Sequence, residues 1–325
     1  MDKKPLIILT GPTAVGKTSL SVRLARAVNG EIISADSMQV YRHMDIGSAK
    51  VTEKEMEGVP HHLIDILEPD EEFHVVLFQK LARQAMEEIL SRGRIPIVAG
   101  GTGFYIQALL KDIDFTESED SRQKEIRSRL EKAAAAKGGS LLLHDRLREV
   151  DPVSAGIIHA NNVKRVIRAL EFYELTGRPI SEHNAVEREK TSPYHFLYYC
   201  LNMDRAKLYA RIDARVDAML KAGLTEEVRR LAQMGCSREM VSMQGLGYKE
   251  ILAWLEGEIS LEEAVYRIKR DTRHFAKRQL TWFRREQEVR MLAWEDYAFS
   301  EDKVLEKILS DMRGEGMLKG SGQKG

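Results

Sequence analysis

At 325 residues, 43% of them hydrophobic and 31% charged, the chain has enough material for about two domains with cores of their own. Its 50 basic and 50 acidic residues cancel, so a polyanion must be met by local clustering and not by overall charge. Cys200 and Cys236 are too few for a thiolate metal site, no stretch approaches a membrane span, and Met1-Asp2-Lys3-Lys4-Pro5 leads into apolar residues without a signal region. The expectation is a cytoplasmic protein with both thiols reduced and used in packing.

The first apolar run, Leu6 to Leu9, leads into Gly11-Pro12-Thr13-Ala14-Val15-Gly16-Lys17-Thr18, which fits G-x-x-x-x-G-K-[ST]. An amphipathic segment follows from Lys17 to Val28, with Leu20, Leu24, Ala25 and Val28 at helical spacing. Strand, glycine loop and helix in that order make a phosphate cradle: inward N–H groups, the positive end of a helix dipole and the mobile charge of Lys17. The loop predicts a bound di- or triphosphate, with the Thr18 hydroxyl on a magnesium ion that bridges two phosphate oxygens. Gly30 is expected to end the helix.

A second strand, Glu31 to Ala35, delivers Asp36-Ser37-Met38-Gln39 to the carboxyl edge of the sheet, where open α/β folds bind ligands. Asp36 has three candidate roles there: a magnesium ligand, a general base, or a helix N-cap. A third apolar run at His62 to Leu67, a helix over Val75 to Ser91 and a strand at Ile95 to Ala99 continue a doubly wound pattern. Gly100-Gly101-Thr102-Gly103 is then a second glycine turn facing the same crevice. His61-His62 resembles a metal pair, but neighbours on a strand point to opposite faces and no further ligand is suitably spaced, so that reading is rejected.

Residues 114–193 change character, with helical segments at Ser121 to Lys137, Leu141 to Val150 and Asn161 to Leu175 and no strand-like run. The reading is a helical insertion between 1–113 and 194–313, the core resuming at the strand His195 to Leu201. The chain is then largely helical through Gln287, followed by a closing strand at Val289 to Trp294 and a last helix at Glu301 to Arg313. The glycine- and lysine-rich 314–325 is expected to be disordered.

Val265 to Arg285 is the most basic stretch, with Arg267, Lys269, Arg270, Arg273, Lys277, Arg278, Arg284 and Arg285 against the single acid Asp271. On a helix, Val265, Ile268, Phe275 and Trp282 share one face, and Arg270, Arg273, Lys277 and Arg284 another. Phosphate oxygens are the natural partner, and a solvated basic face is the plainer alternative. Trp282 and Phe283 are candidates for stacking on bases, with anchoring of the helix the simpler role for Trp282. Asn161 to Arg168 repeats the basic theme inside the insertion.

The phosphate loop, Asp36 to Tyr41 with Met44 to Lys50, and Gly100-Gly101-Thr102 together resemble the tRNA dimethylallyltransferase (tRNA isopentenyltransferase) family. Three later stretches agree: Lys164 to Glu171, Gln244 to Glu250, and Lys277 to Arg284. The likeness runs from the first strand to about Trp294 and is of the bacterial type, without the zinc extension of eukaryotic members. It implies a P-loop NTPase-like, doubly wound parallel α/β sheet with a helical insertion domain and a helical C-terminal part. It also implies a magnesium-dependent tRNA-modifying enzyme. A dimethylallyl group would pass from dimethylallyl diphosphate to the N6 amino group of the adenosine 3′ to the anticodon of a tRNA stem-loop.

Residue by residue, the resemblance puts diphosphate on Gly11 to Thr18 and catalysis on Asp36, Thr13, Lys17 and Arg211. It puts tRNA contacts on Asp36, Ser37, Met38, Gln39, Thr102, Lys164, Arg165, Arg168, Gln244, Gly247, Tyr248, Arg273, Lys277, Arg278, Gln279, Trp282 and Arg284. A monomer is the expected acting unit. The chemistry agrees, because an adenine amino group is a poor nucleophile helped by a carboxylate that accepts its proton, and departing diphosphate needs cations. Without the resemblance, an ion pair with Asp213 or Asp217 is the simpler reading of Arg211. Three other functions compete: a P-loop nucleotide or small-molecule kinase, an isopentenyltransferase acting on free adenine nucleotide, and a non-catalytic RNA-binding module.

Overall fold

A computed structural model describes residues 3–115 and 121–318. The described residues hold six strands, all parallel, in the order β3-β2-β4-β1-β5-β6. These are β1 (Lys4–Thr10), β2 (Gly30–Ala35), β3 (His61–His62), β4 (Ile95–Gly100), β5 (Tyr194–Asn202) and β6 (Val289–Ala293). β1 lies between β4 and β5, and its alternating side chains feed two layers. Leu6 and Ile8 enter one core with Phe78, Ile106, Tyr248 and Ile268, while Ile7 and Leu9 enter the other with Leu20, Leu24, Ile212 and Ile308. Burial on both faces is why this strand reads as an unbroken apolar run.

The helices of the sheet-bearing unit are α1 (Lys17–Val28), α2 (Glu53–Met56), α3 (Val75–Ser91), α4 (Gly103–Lys111) and, after the insertion, α10 to α14. These last are α10 (Arg205–Lys221), α11 (Leu224–Gln233), α12 (Tyr248–Leu255), α13 (Leu261–Phe283) and α14 (Glu301–Gly314). Between them, α5 (Ser121–Ala135), α6 (Gly139–Val150), α7 (Pro152–Ile157), α8 (Val163–Thr176) and α9 (Ile180–Glu189) are all helical. The chain divides into two compact units, one running up to Leu110 and again from Pro193, the other covering Lys111–Ser192.

The Lys111–Ser192 unit has its own core, including Leu130, Leu147, Val166 and Leu170. Asp151 sets a corner of it: its carboxylate accepts the Ser154 N–H at 2.9 Å at the start of α7 and the Ser181 hydroxyl at 2.7 Å on α9. Glu171, fully buried, accepts from Gln123 at 2.7 Å and from both ends of the Arg127 fork at 2.9 to 3.1 Å.

Several expectations need correction. Gly30 does not end α1: Asn29, left-handed at φ 52°, caps it, and Gly30 opens β2. The apolar run at His62 to Leu67 is not a full strand, because only His61–His62 pair with β2; Leu63 and Asp65 take positive φ, and Leu67 merely bridges Tyr41. The last helix continues to Gly314, so the expected disordered segment begins inside a helix, and its residues 319–325 lie outside those described.

Candidate active site at the carboxyl edge of the sheet

The loop from Gly11 to Thr18 leaves β1 beside its neighbour β5. Gly11 has φ 146°, and a Cβ there would stand 2.6 Å from the Leu201 carbonyl oxygen, so only glycine fits without moving β5. Gly16, left-handed at φ 101°, hands the chain to α1. From the other side, Trp294 donates its indole N–H to the Val15 carbonyl at 2.8 Å. Pro12 is buried, Thr13 and Ala14 are half-buried, and Thr18 stands exposed on the first turn of α1. The Lys17 ammonium donates to the carbonyls of Gly11 at 2.9 Å and Pro12 at 2.8 Å, which curls it over the loop. Burial, then the nearby Arg215 cation, lowers its pKa to about 8, against an opposing pull from Asp36.

Two long-range side chains fix Thr13. The Arg215 guanidinium, on α10, donates to the Thr13 hydroxyl at 3.3 Å. The Gln279 amide, on α13, accepts the Thr13 N–H at 3.0 Å and donates to the Gly101 carbonyl at 2.9 Å, so it ties the phosphate loop to the second glycine turn. Burial pushes the Arg215 pKa down from its ordinary value, and Asp36 is the largest influence holding it up. Sequence reasoning missed Arg215, although it lies one helical turn beyond Arg211 and so shares a face with it. Arg211 also borders the loop, its guanidinium 3.8 Å from where a Cβ on Gly16 would stand. Its expected surface partners are taken: Asp213 pairs with Arg273 at 2.7 Å and Asp217 with Lys269 at 2.6 Å.

Asp36 stands at the end of β2, within electrostatic reach of Lys17 and Arg215. It caps a turn and not a helix, its Oδ1 accepting the Met38 N–H at 2.8 Å, and no helix starts there. Ser37, Met38 and Gln39 follow, all half-buried, with Gln39 donating to the Ala49 carbonyl at 3.3 Å. Thr102, also half-buried, donates its N–H to the Ala35 carbonyl at 3.2 Å, which sets the second glycine turn against the end of β2.

The residues expected at RNA divide into an outward set and an inward set. Gln244, Lys277, Arg278 and Arg284 are exposed, and so are Lys164 and Arg165 in their own unit, where the half-buried Arg168 lies 3.8 Å from Glu171. Tyr248, Gly247 and Gln279 are buried: Tyr248 bonds Glu227, and both ends of the Gln279 amide are engaged inside the protein. Tyr248 and Gln279 thus use their polar atoms inside the protein, and Gly247 caps α12. Arg273 is half-buried and pairs with Asp213 at 2.7 Å. On the same helix, Arg267 pairs with Glu263 and Arg270 with Asp271. Lys277 and Arg278, late in α13, and Arg284, just past its end, are exposed, with Arg278 lying over the Phe275 ring at 5.8 Å. Phe283 is buried, and Trp282 meets Phe104 edge-on at 6.3 Å between ring centres, as an anchor does.

Among the described residues no three His, Cys, Asp or Glu side chains gather as a metal site. His62 instead contacts Glu31 at 2.7 Å, and His61 contacts the Val59 carbonyl at 2.8 Å. Among the described residues no helix is long and apolar enough to cross a membrane.

A doubly wound parallel sheet with a glycine loop at the end of its central strand defines an α/β fold of the P-loop-like type. The family described as IPP transferase matches residues 39–286. A tRNA dimethylallyltransferase from Lachnoclostridium phytofermentans is 62% identical over 294 residues, covering 90% of this chain and 93% of that protein. One from Carboxydothermus hydrogenoformans is 54% identical over 307 residues, covering 94% and 96%. Among solved structures, the tRNA delta(2)-isopentenylpyrophosphate transferase of Staphylococcus epidermidis matches with a TM-score of 0.71 at 44% identity, over 96% of this chain and 99% of that one. A eukaryotic dimethylallyltransferase, in a study of its action on tRNA, matches with a TM-score of 0.77 at 33% identity, over 89% of this chain and 74% of that one. The chain belongs to the IPP transferase family, and it is a transferase.

Proposed function

We propose that the protein transfers a dimethylallyl group from dimethylallyl diphosphate to the N6 amino nitrogen of the adenosine 3′-adjacent to the anticodon of tRNA, releasing diphosphate. The observation that carries this reading is the meeting of a phosphate loop, two cations and a carboxylate: Lys17 and Arg215 on the loop and Asp36 at the end of β2. A nitrogen-to-carbon bond forms as the allylic carbon-to-oxygen bond breaks. The amino proton goes to Asp36, and the electron pair leaves with diphosphate. Loop amides from Gly11 to Thr18, Lys17, Thr13, Arg215 and Arg211 stabilise the charge gathering on that leaving group. The Gln279 brace holds Thr13 and Gly101 in place during the step.

The oxygen donors fit magnesium, which takes few protein oxygens and keeps phosphate and water ligands: the Thr18 hydroxyl is exposed on the first turn of α1, and Asp36 is the nearby carboxylate. When bound, the ion supplies further positive charge to the departing diphosphate. The tRNA backbone is met by Lys277, Arg278 and Arg284, and by Lys164, Arg165 and Arg168 on the other unit. The acting unit is taken as a monomer, and a tRNA substrate supports a cytoplasmic location.

Incubation with labelled dimethylallyl diphosphate and, separately, tRNA, AMP or ATP tests the reading. Label is expected in tRNA, on the nucleoside next to the anticodon. Label in AMP with none in tRNA would replace it with a free-nucleotide transferase, and phosphate transfer from ATP without prenylation would return the kinase.

A further inference from the structure

Residues 45–48 form a nest of backbone N–H groups whose anion is a carboxylate of the protein itself. Glu227, in the first turns of α11 and 1% exposed, accepts the N–H groups of Asp45 at 3.0 Å, Ile46 at 2.8 Å and Gly47 at 3.0 Å. It also accepts the Tyr248 hydroxyl at 2.8 Å. Four donors satisfy this buried charge, but only while the turn keeps its shape. Tyr248 in turn accepts the Ser48 N–H at 3.1 Å, and a Cβ on Gly47 would stand 2.5 Å from its ring, so the ring lies directly against that peptide.

The nest connects back towards Asp36. The buried Lys50 ammonium donates to the Tyr41 carbonyl at 2.7 Å and to Asp45 at 2.6 Å, and it also pairs with Asp65. Gln39 donates to the Ala49 carbonyl, and Met38 bonds both Asp36, through its N–H, and Tyr41, through its carbonyl. Every step from Asp36 to the nest is thus hydrogen-bonded. None of these bonds reaches the phosphate loop.

We infer that Glu227 and Tyr248 are positioning residues that hold the 45–48 turn and, through Lys50 and Gln39, the Asp36 to Gln39 segment, so that they orient the acceptor side of the reaction without a bond to the phosphate loop. The inference rests on the function proposed above. It reassigns Tyr248 from the RNA surface to the interior support of the residues that meet RNA.

Tyr248→Phe keeps the ring and removes two hydrogen bonds, so it is the mild variant; Glu227→Gln keeps the size but turns an amide NH2 towards N–H donors. In Tyr248→Phe, hydrogen exchange at the amides of 45–48 should quicken. Single-turnover prenylation at saturating tRNA should fall about fivefold to tenfold, with affinity for dimethylallyl diphosphate changed less than about twofold. Glu227→Gln should move rate and exchange further in the same direction, and if it fails to fold, Tyr248→Phe decides alone. Unchanged exchange, a wild-type rate despite faster exchange, or an equal loss of diphosphate affinity would each overturn the assignment. A wild-type protein that prenylates no tRNA would instead overturn the proposed function, and the exchange measurement would still read the nest.

Discussion

The Arg215 guanidinium donates to the Thr13 hydroxyl at 3.3 Å, joining α10 to a loop 202 residues earlier in the chain. Under the proposed reaction, this half-buried cation is the one set to receive charge as diphosphate leaves, whereas Arg211 borders the same loop from an exposed position. Arg215→Ala should lower the single-turnover rate by about 10²- to 10³-fold, Arg215→Lys should recover part of it, and Arg211→Ala should cost less. A near-normal rate for Arg215→Ala beside a severe loss for Arg211→Ala would reverse the assignment.

Asp36→Asn separates proton transfer from metal binding. The amide oxygen can still accept the Met38 N–H, so the turn survives. The rate should drop by about two to four orders of magnitude while both substrates bind with near wild-type affinity. If raising magnesium restores the rate, Asp36 acts through the metal, and the base role is lost.

Lys17 sets a pH dependence. Its pKa near 8 means that the free site loses a positive charge as pH rises through that value. Bound diphosphate favours the charged form, so affinity should be highest below pH 8 and decline above it, with proton uptake on binding at and above pH 8. Calorimetry in buffers of different ionisation enthalpy measures that uptake, and its absence at pH 8.5 would show that Lys17 is already fully protonated in the free protein.

The basic helix makes a graded prediction. Replacing Lys277 and Arg278 by Ala should weaken tRNA binding and flatten the slope of log affinity against log salt by roughly 0.7 to 0.9 for each phosphate left without its cation. Arg273→Ala should alter that slope less and lower stability by about 1 kcal/mol, because it leaves Asp213 without its partner. A larger slope change from Arg273 would mean that its ion pair opens to RNA.

The legible features were those whose chemistry is local. The phosphate loop carries its instructions in eight consecutive residues, and the bounds of α3, Val75–Ser91, follow from its apolar spacing. What escaped was set by helix phase across long separations. Asp213 and Asp217 are four apart on α10, as are Lys269 and Arg273 on α13, and they pair crosswise because the helices run antiparallel. The matched spacings were in the sequence, but nothing local says that the two helices meet. Gln279 and Tyr248 stand out in the sequence as positions, but their direction does not: both are buried with internal hydrogen-bond partners, which nothing in a short motif reveals.

The central strand acquires its two neighbours at widely separated moments of synthesis. β1 can pair with β4 once Gly100 has emerged, but its partner on the other side, β5, begins at Tyr194, beyond the whole Lys111–Ser192 unit. At about 5–20 residues per second, the ribosome keeps that flank of β1 open for several seconds. The Leu201 carbonyl that leaves no room for a Cβ on Gly11 belongs to the late strand. A nascent chain halted before β5 therefore carries the complete glycine motif without the wall that shapes it, while the intervening helices, whose contacts are local, are free to fold during the wait.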